Sequence, residues 1–216
     1  MRIAVLGTPK RVEELKQKVS SNHELIEVKN TDFEGYDLIF DLDFDDHPEH
    51  VQFYQHLKGV PVMVSAVKVA LEAAVHQLDS APECIFYGLN ALPTFINRSL
   101  TEMTSLREED RAQAESLLSD LGWTIQWVES RVGMVTPRIV LMIINEAFYT
   151  VQEGTASKQD IDTGMRLGTA YPKGPFEWCD EIGIKDVYEV LEALYQDTHD
   201  ERYKVCPLLK KAYLTA

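Results

Sequence analysis

The sequence has few cysteines, few basic residues and no long apolar run. Its three cysteines, Cys84, Cys179 and Cys206, form no CxxC pair and are too scattered for a disulfide framework. Reduced thiols in a cytoplasmic protein are therefore expected. Lysine and arginine number 21 against 35 acidic residues, for a formal net charge of −14. That balance excludes the basic footprint that nucleic acid requires. It also means that any polyanionic ligand must find a local basic cluster. The longest apolar run, Ile139 to Ile144, is far shorter than a membrane span and sits inside an amphipathic stretch. The N-terminal MRIAVLG reads as a strand and a turn, without the architecture of a signal peptide. There is no internal repeat and no low-complexity segment.

What is present divides into two halves with different periodicities. The first alternates short apolar runs with helical stretches. Strands are expected at Ile3–Leu6, Leu25–Val28, Tyr36–Phe40, Val60–Val64, Cys84–Gly88 and Thr124–Val128. Helices are expected at Val12–Val19, Pro48–Leu57, Val67–Leu78 and Glu108–Leu121, with Pro48 suited to a first turn. Such alternation predicts a mostly parallel sheet covered on both faces. The second half is helical. A long helix is expected over Val135–Val151, with Val135, Ile139, Met142, Ile143, Ala147 and Thr150 on one stripe. Shorter helices follow at Lys158–Leu167, Pro175–Glu181, Val187–Gln196 and Pro207–Tyr213. Ser157 is the expected N-cap of the second, and glycines 154, 168, 174 and 183 punctuate the series. The fold class is thus an α/β Rossmann-like domain over residues 1–130, followed by an all-α domain over 131–216.

The segment from Gly133 to Pro207 carries NEA at Asn145–Ala147, EGTASKQDID at Glu153–Asp162, YPKGPFEW at Tyr171–Trp178 and DEIG at Asp180–Gly183. RY and CPLL follow, from Arg202 to Leu209. In this order the pieces resemble the C-terminal domain of the L-3-hydroxyacyl-CoA dehydrogenase family. The resemblance implies oxidation of L-3-hydroxyacyl-CoA to 3-ketoacyl-CoA with NAD, and a homodimer formed through the helical domain. It is specific over about the last 85 residues and weak before them.

Position by position, the catalytic features that the resemblance implies are altered. The glycine turn G-x-G-x-x-G reads Gly7-Thr8-Pro9-Lys10-Arg11-Val12, so only Gly7 remains, as a vestige. Lys10 and Arg11 could face some other phosphate at a helix N-terminus, although a solvated turn is the plainer expectation. Glu27 stands 20 residues after Gly7, near the spacing of a ribose-binding acid, and reads more simply as an exposed strand residue. The long arm that the family inserts before its third strand is missing. Gly88 and Glu102 align with the segment around the family's catalytic histidine and its glutamate partner. Glu102 is kept, while Asn90 takes the histidine position, and an amide cannot titrate near neutral pH. Pro137 takes the position of a family asparagine.

These losses lead to the expectation of a catalytically degenerate member, a pseudoenzyme of fatty-acid and acyl-CoA metabolism that binds acyl-CoA or assembles with an active partner. No cofactor is expected in that reading. The alternative is an active oxidoreductase that uses NAD in a rearranged site. Substrate contacts are assigned to Ser65, Arg98, Arg138 and Lys173, the last three as the cations nearest family-like segments. Asp41, Asp43, Asp45, Asp46, His47, His50 and His56 form an acidic, histidine-bearing run, expected to be a solvated helix start without a metal. Asp45 approximately overlays a family glutamate near the cofactor and substrate. Cys179 has no nearby histidine to make it a nucleophile.

Overall fold

The computed structural model describes residues 1–29 and 32–216. Residues 30 and 31, in the short connection between the second and third strands, lie outside the described set. The chain divides into two compact units, Met1–Met134 and Val135–Ala216.

The first unit is built on seven strands: β1 (Arg2–Leu6), β2 (Glu24–Glu27), β3 (Leu38–Asp41), β4 (Pro61–Ser65), β5 (Ile85–Leu89), β6 (Leu100–Ser105) and β7 (Thr124–Trp127). They form one sheet in the order β2-β1-β3-β4-β5-β6-β7. All neighbours are parallel except β5 and β6, which pair antiparallel with Leu89 opposite Met103. The expected mostly parallel, Rossmann-like sheet is observed. Alternation along each strand feeds two cores. Ile3 and Val5, Leu38 and Phe40, and Met63 join one core with Val12, Leu15 and Leu118. Ala4, Ile39, Val62 and Val64 join the other with Val51, Tyr54 and Leu71. Helices α1 (Pro9–Lys18) and α4 (Arg111–Asp120) supply the first layer, and the short helices α2 (Val51–Tyr54) and α3 (Leu71–Val75) the second.

Three expectations for this unit are corrected. β6 was not foreseen, because LTEMTS carries polar residues at most positions and gives no apolar signal, yet Thr101 to Ser105 are all buried in the sheet. The helix expected over Val67–Leu78 shrinks to Leu71–Val75. Residues 67 and 68 give their amides to the Asp45 carboxylate, and Val67 O accepts from Gly133 N at 2.6 Å, so this stretch is tied down as a loop. The helix expected from Pro48 is a 3-10 turn over Pro48–His50 followed by the single turn of α2.

The second unit comprises α5 (Thr136–Gln152), α6 (Lys158–Thr169), α7 (Pro175–Ile182), α8 (Ile184–Thr198) and α9 (Pro207–Leu214), close to the expected spans. Ser157 caps α6, accepting from Asp160 N, while the Asp160 carboxylate accepts from Ser157 N. The buried face of α5 differs from the expected stripe. It consists of Pro137, Val140, Leu141, Ile144, Ala147 and Phe148, while Val135 and Ile139 are exposed. A continuous apolar run has no polar positions to mark the inner face, so its phase was not legible.

Candidate functional site at the carboxyl edge of the sheet

Because β1, β3, β4 and β5 are parallel, their carboxyl ends lie along one edge. This edge gathers Gly7 after β1, Asp41 to Asp46 after β3, Ser65 at the end of β4 and Asn90 after β5. Antiparallel β6 brings its own beginning, including Glu102, to the same edge. The strand order reverses between β1 and β3, which makes the space outside their ends the switch point where ligands lie in doubly wound sheets.

At the switch point Gly7 is closely packed. A Cβ there would meet Leu42 Cβ at 3.0 Å and Val12 Cγ2 at 3.3 Å. Pro9 occupies the first turn of α1 and offers no amide. Arg11, 3% exposed, donates to Leu42 O at 2.6 Å and to Asp43 Oδ1 at 3.2 Å. Its guanidinium ties the start of α1 to the loop after β3, so the plain reading of Arg11 as a solvated turn residue is corrected. These residues keep the strand ends of a dinucleotide fold but do not form a glycine cradle for pyrophosphate. A dinucleotide here would have to be held in another way.

Asn90 and Glu102 are brought side by side. Asn90 N donates to Glu102 O at 3.3 Å, and the Asn90 side-chain oxygen accepts from Leu92 N at 3.3 Å. Both residues are buried. The amide therefore holds the turn that follows β5. Arg98, assigned to substrate, donates from Nε to Thr94 O at 3.0 Å and lies over the Phe95 ring at 4.1 Å. The loop between them is held from α1, where Glu14 accepts the Thr94 amide with both oxygens at 2.9 Å. Burial pushes the Glu14 carboxyl up from its ordinary value.

The acidic run after β3 is not a solvated helix start, which corrects the expectation. Asp45 is buried and accepts from Ser65 Oγ at 2.5 Å, Val67 N at 3.1 Å and Lys68 N at 2.7 Å. Burial pushes its carboxyl up. Ser65 is fully buried, with its hydroxyl given to Asp45, so its place is a brace between two loops. Lys68 Nζ reaches Asp46 Oδ1 at 2.7 Å. Asp41 is also fully buried. Its Oδ2 accepts from Tyr54 Oη at 2.7 Å and pairs with His50 Nδ1 at 2.8 Å. The signal for these groups was a row of acids directly at a strand end. Only the fold shows which of them turn inward.

In the helical unit Pro137 is buried at the start of α5, and Arg138 donates to Tyr203 Oη at 2.8 Å. Lys173 pairs with Glu181. Each of the two cations assigned to substrate is thus engaged with its own neighbour. The family-like motifs explain themselves as packing. Asn145 Nδ2 donates to Lys204 O at 3.0 Å and its Oδ1 accepts from Cys206 N at 2.9 Å, joining NEA to the segment before α9. Asp162 accepts from Phe176 N at 2.9 Å and leaves no room for a side chain at Gly174, where a Cβ would lie 2.2 Å from Asp162 Oδ1. That contact accounts for the glycine in YPKGPFEW.

Comparison with known proteins agrees with this division. Residues 133–215 match the family model described as 3-hydroxyacyl-CoA dehydrogenase, C-terminal domain. The chain is 43% identical over 97 residues to 3-hydroxyadipyl-CoA dehydrogenase of Escherichia coli (strain K12), which covers 45% of this chain and 20% of that protein. It is 33% identical over 123 residues to a probable 3-hydroxybutyryl-CoA dehydrogenase of Bacillus subtilis (strain 168), covering 57% of this chain and 43% of that one. The chain thus spans less than half the length of these curated relatives. The solved (S)-3-hydroxybutyryl-CoA dehydrogenase of Ralstonia eutropha shares the fold, with a TM-score of 0.72 at 19% identity over 99% of this chain and 93% of that chain. One expectation is overturned here. The relatives are named dehydrogenases and the sheet is theirs in fold, which points to NAD, the cofactor implied by the family resemblance, and against a reading without a cofactor.

Proposed function

We propose, for a chain that belongs to the 3-hydroxyacyl-CoA dehydrogenase family through its residues 133–215, a supporting place in cytoplasmic acyl-CoA metabolism. The protein binds acyl-CoA or assembles with an active family member, and its own hydride-transfer chemistry is weak. One observation carries this reading: the position next to buried Glu102 holds Asn90, whose amide oxygen accepts the Leu92 amide. An amide can neither take nor return the hydroxyl proton of a 3-hydroxyacyl group. NAD, when bound, supplies the hydride acceptor. The residues of this chain supply the strand ends of the switch-point edge. Assembly is through a homodimer of the helical unit. In support, Ile139 on α5 is 57% exposed and Leu167 on α6 is 84% exposed, two large apolar side chains that a second copy of the helical unit can cover.

The second reading is an active NAD-dependent oxidoreductase with a rearranged site. It is favoured by the retention of Glu102, buried and adjacent to position 90. NADH oxidation with acetoacetyl-CoA separates the two, measured on the unaltered protein, Asn90→His and Glu102→Ala. The supporting role predicts turnover below that of Asn90→His by on the order of 100-fold, the low end of a general acid–base contribution. Turnover by the unaltered protein that falls in Glu102→Ala sinks the supporting role and establishes the second reading. Calorimetry with acetoacetyl-CoA, with and without NAD, tests binding independently of turnover.

A further inference from the structure

A group of side chains outside the Asn90–Glu102 pair brings three possible metal-ligand atoms together. Glu49 and His50 sit on the 3-10 turn in the loop after β3, His47 caps that turn, and each presents a ligand atom within 4.8 Å of the others. The two imidazole rings are nearly parallel, with centroids 5.0 Å apart and planes 15° apart. His47 Nδ1 lies 3.3 Å from Glu49 Oε1. We propose that these three residues bind a divalent transition metal of the zinc class.

The second observation lies beneath the cluster. His50 Nδ1 is 2.8 Å from Asp41 Oδ2, and the same carboxylate oxygen receives the Tyr54 hydroxyl. Asp41 is fully buried at the end of a central strand, so its position is fixed by the sheet. A carboxylate can only accept, so Nδ1 is the donor and the lone pair of the neutral ring is on Nε2. A buried carboxylate fixing the tautomer and direction of a partly exposed histidine is the arrangement found behind metal-ligating histidines. Two imidazoles and one carboxylate make a ligand set suited to zinc and its neighbours, whereas magnesium and calcium require oxygen ligands. A tetrahedral site with bonds of about 2.0–2.1 Å places its ligand atoms roughly 3.3 Å apart. The present spacing closes to that by rotation of His47 and Glu49, whose side chains are 53% and 61% exposed. Three protein ligands leave a fourth position for water or another oxygen ligand. The site stands near the switch-point edge of the sheet, on the loop that follows β3.

The test is calorimetric titration of the tag-free full chain with zinc chloride, with the visible absorption of added cobalt(II) as a second readout. The expected result is one site per chain, with cobalt bands of four-coordinate intensity. His47→Ala, at an exposed position that does not threaten folding, lowers the affinity at least tenfold. Asp41→Asn keeps the stoichiometry and lowers the affinity by about 10–100-fold, the usual effect of losing an orienting partner. If Asp41→Asn does not fold, His47→Ala and Glu49→Gln still decide the matter. Absence of saturable binding at one ion per chain overturns the proposal, as does unchanged affinity in His47→Ala or displacement of zinc by a tenfold excess of magnesium.

Discussion

The two units of this protein treat polar groups in opposite ways. In the helical unit, among the described residues, Asn145 is the one polar side chain in the buried class, and it joins two segments of backbone. Among its described residues the α/β unit buries ten such groups, including Arg11, Asp41, Asp45, Ser65, Asn90 and Glu102 along the carboxyl edge of its sheet. A helix satisfies its own backbone, so a helical unit can afford an apolar interior with polar residues kept for its ends. A parallel sheet delivers every strand end to one edge, and the loops there need side chains to pair their amides. The same edge is where ligands bind in such folds. A buried polar group at the edge therefore has two explanations, bracing and chemistry, and the hydrogen-bond partners separate them. Ser65 and Asp45 brace each other. Asn90 braces its own turn.

The comparison can be broken first where the difference is largest. Asp45→Ala removes the acceptor of three buried donors, and the expected loss is about 3–5 kcal/mol in urea unfolding. Asn145→Ala, the helical counterpart, strands one buried amide and one carbonyl, for an expected loss of about 2 kcal/mol. Equal losses would show that the polar edge is no more committed to structure than the helical unit. Gly174→Ala drives a methyl group into Asp162 and costs about 1–3 kcal/mol, with the loss reduced in the double variant Gly174→Ala, Asp162→Ala. Ser157→Ala removes one half of the capping box of α6 and costs about 1 kcal/mol.

How far these features were legible follows the same division. The helical unit was readable nearly element by element, because caps, glycines and prolines mark helix ends locally: Ser157 before α6, Pro175 after Gly174, Pro207 at the start of α9. Its one misreading was the phase of α5, where six consecutive apolar residues hide the inner face. In the α/β unit the apolar strands were readable and the polar ones were not. β6 escaped because its burial comes from neighbouring strands, and no apolar alternation within LTEMTS announces it. The site was half legible. The pairing of position 90 with Glu102 followed from the resemblance. The inward turn of Asp41 and Asp45 and the tie from Arg11 to Leu42 are long-range facts, decided by where β3 ends relative to α1 and β4. In sequence an acid bound for the interior looks the same as one bound for water.

The smallest expected effect concerns Lys18, which carries the polar edge's logic onto α1. Its Nζ donates to Arg98 O at 2.8 Å and Thr101 Oγ1 at 2.5 Å, and it lies 4.3 Å from the centre of the Trp123 ring. Burial pushes the ammonium down to about 8 from its ordinary value of 10.5. Between these two values the unfolded chain holds a proton that the folded chain has released, so stability rises with pH across the window. Below about pH 8 both states are protonated, and the folded state carries the full cost of the half-buried charge. The group is only partly withdrawn from water, so the discounted effect is about 1 kcal/mol. Lys18→Met removes it. The difference in unfolding free energy between Lys18→Met and the unaltered protein should therefore be largest below pH 8 and shrink towards pH 10.5. Using the difference cancels the growing self-repulsion of an acidic chain as its other lysines titrate. A difference that stays flat with pH would mean that the carbonyl, the hydroxyl and the indole face fully replace water around the ammonium, so that the edge holds this charge at no cost.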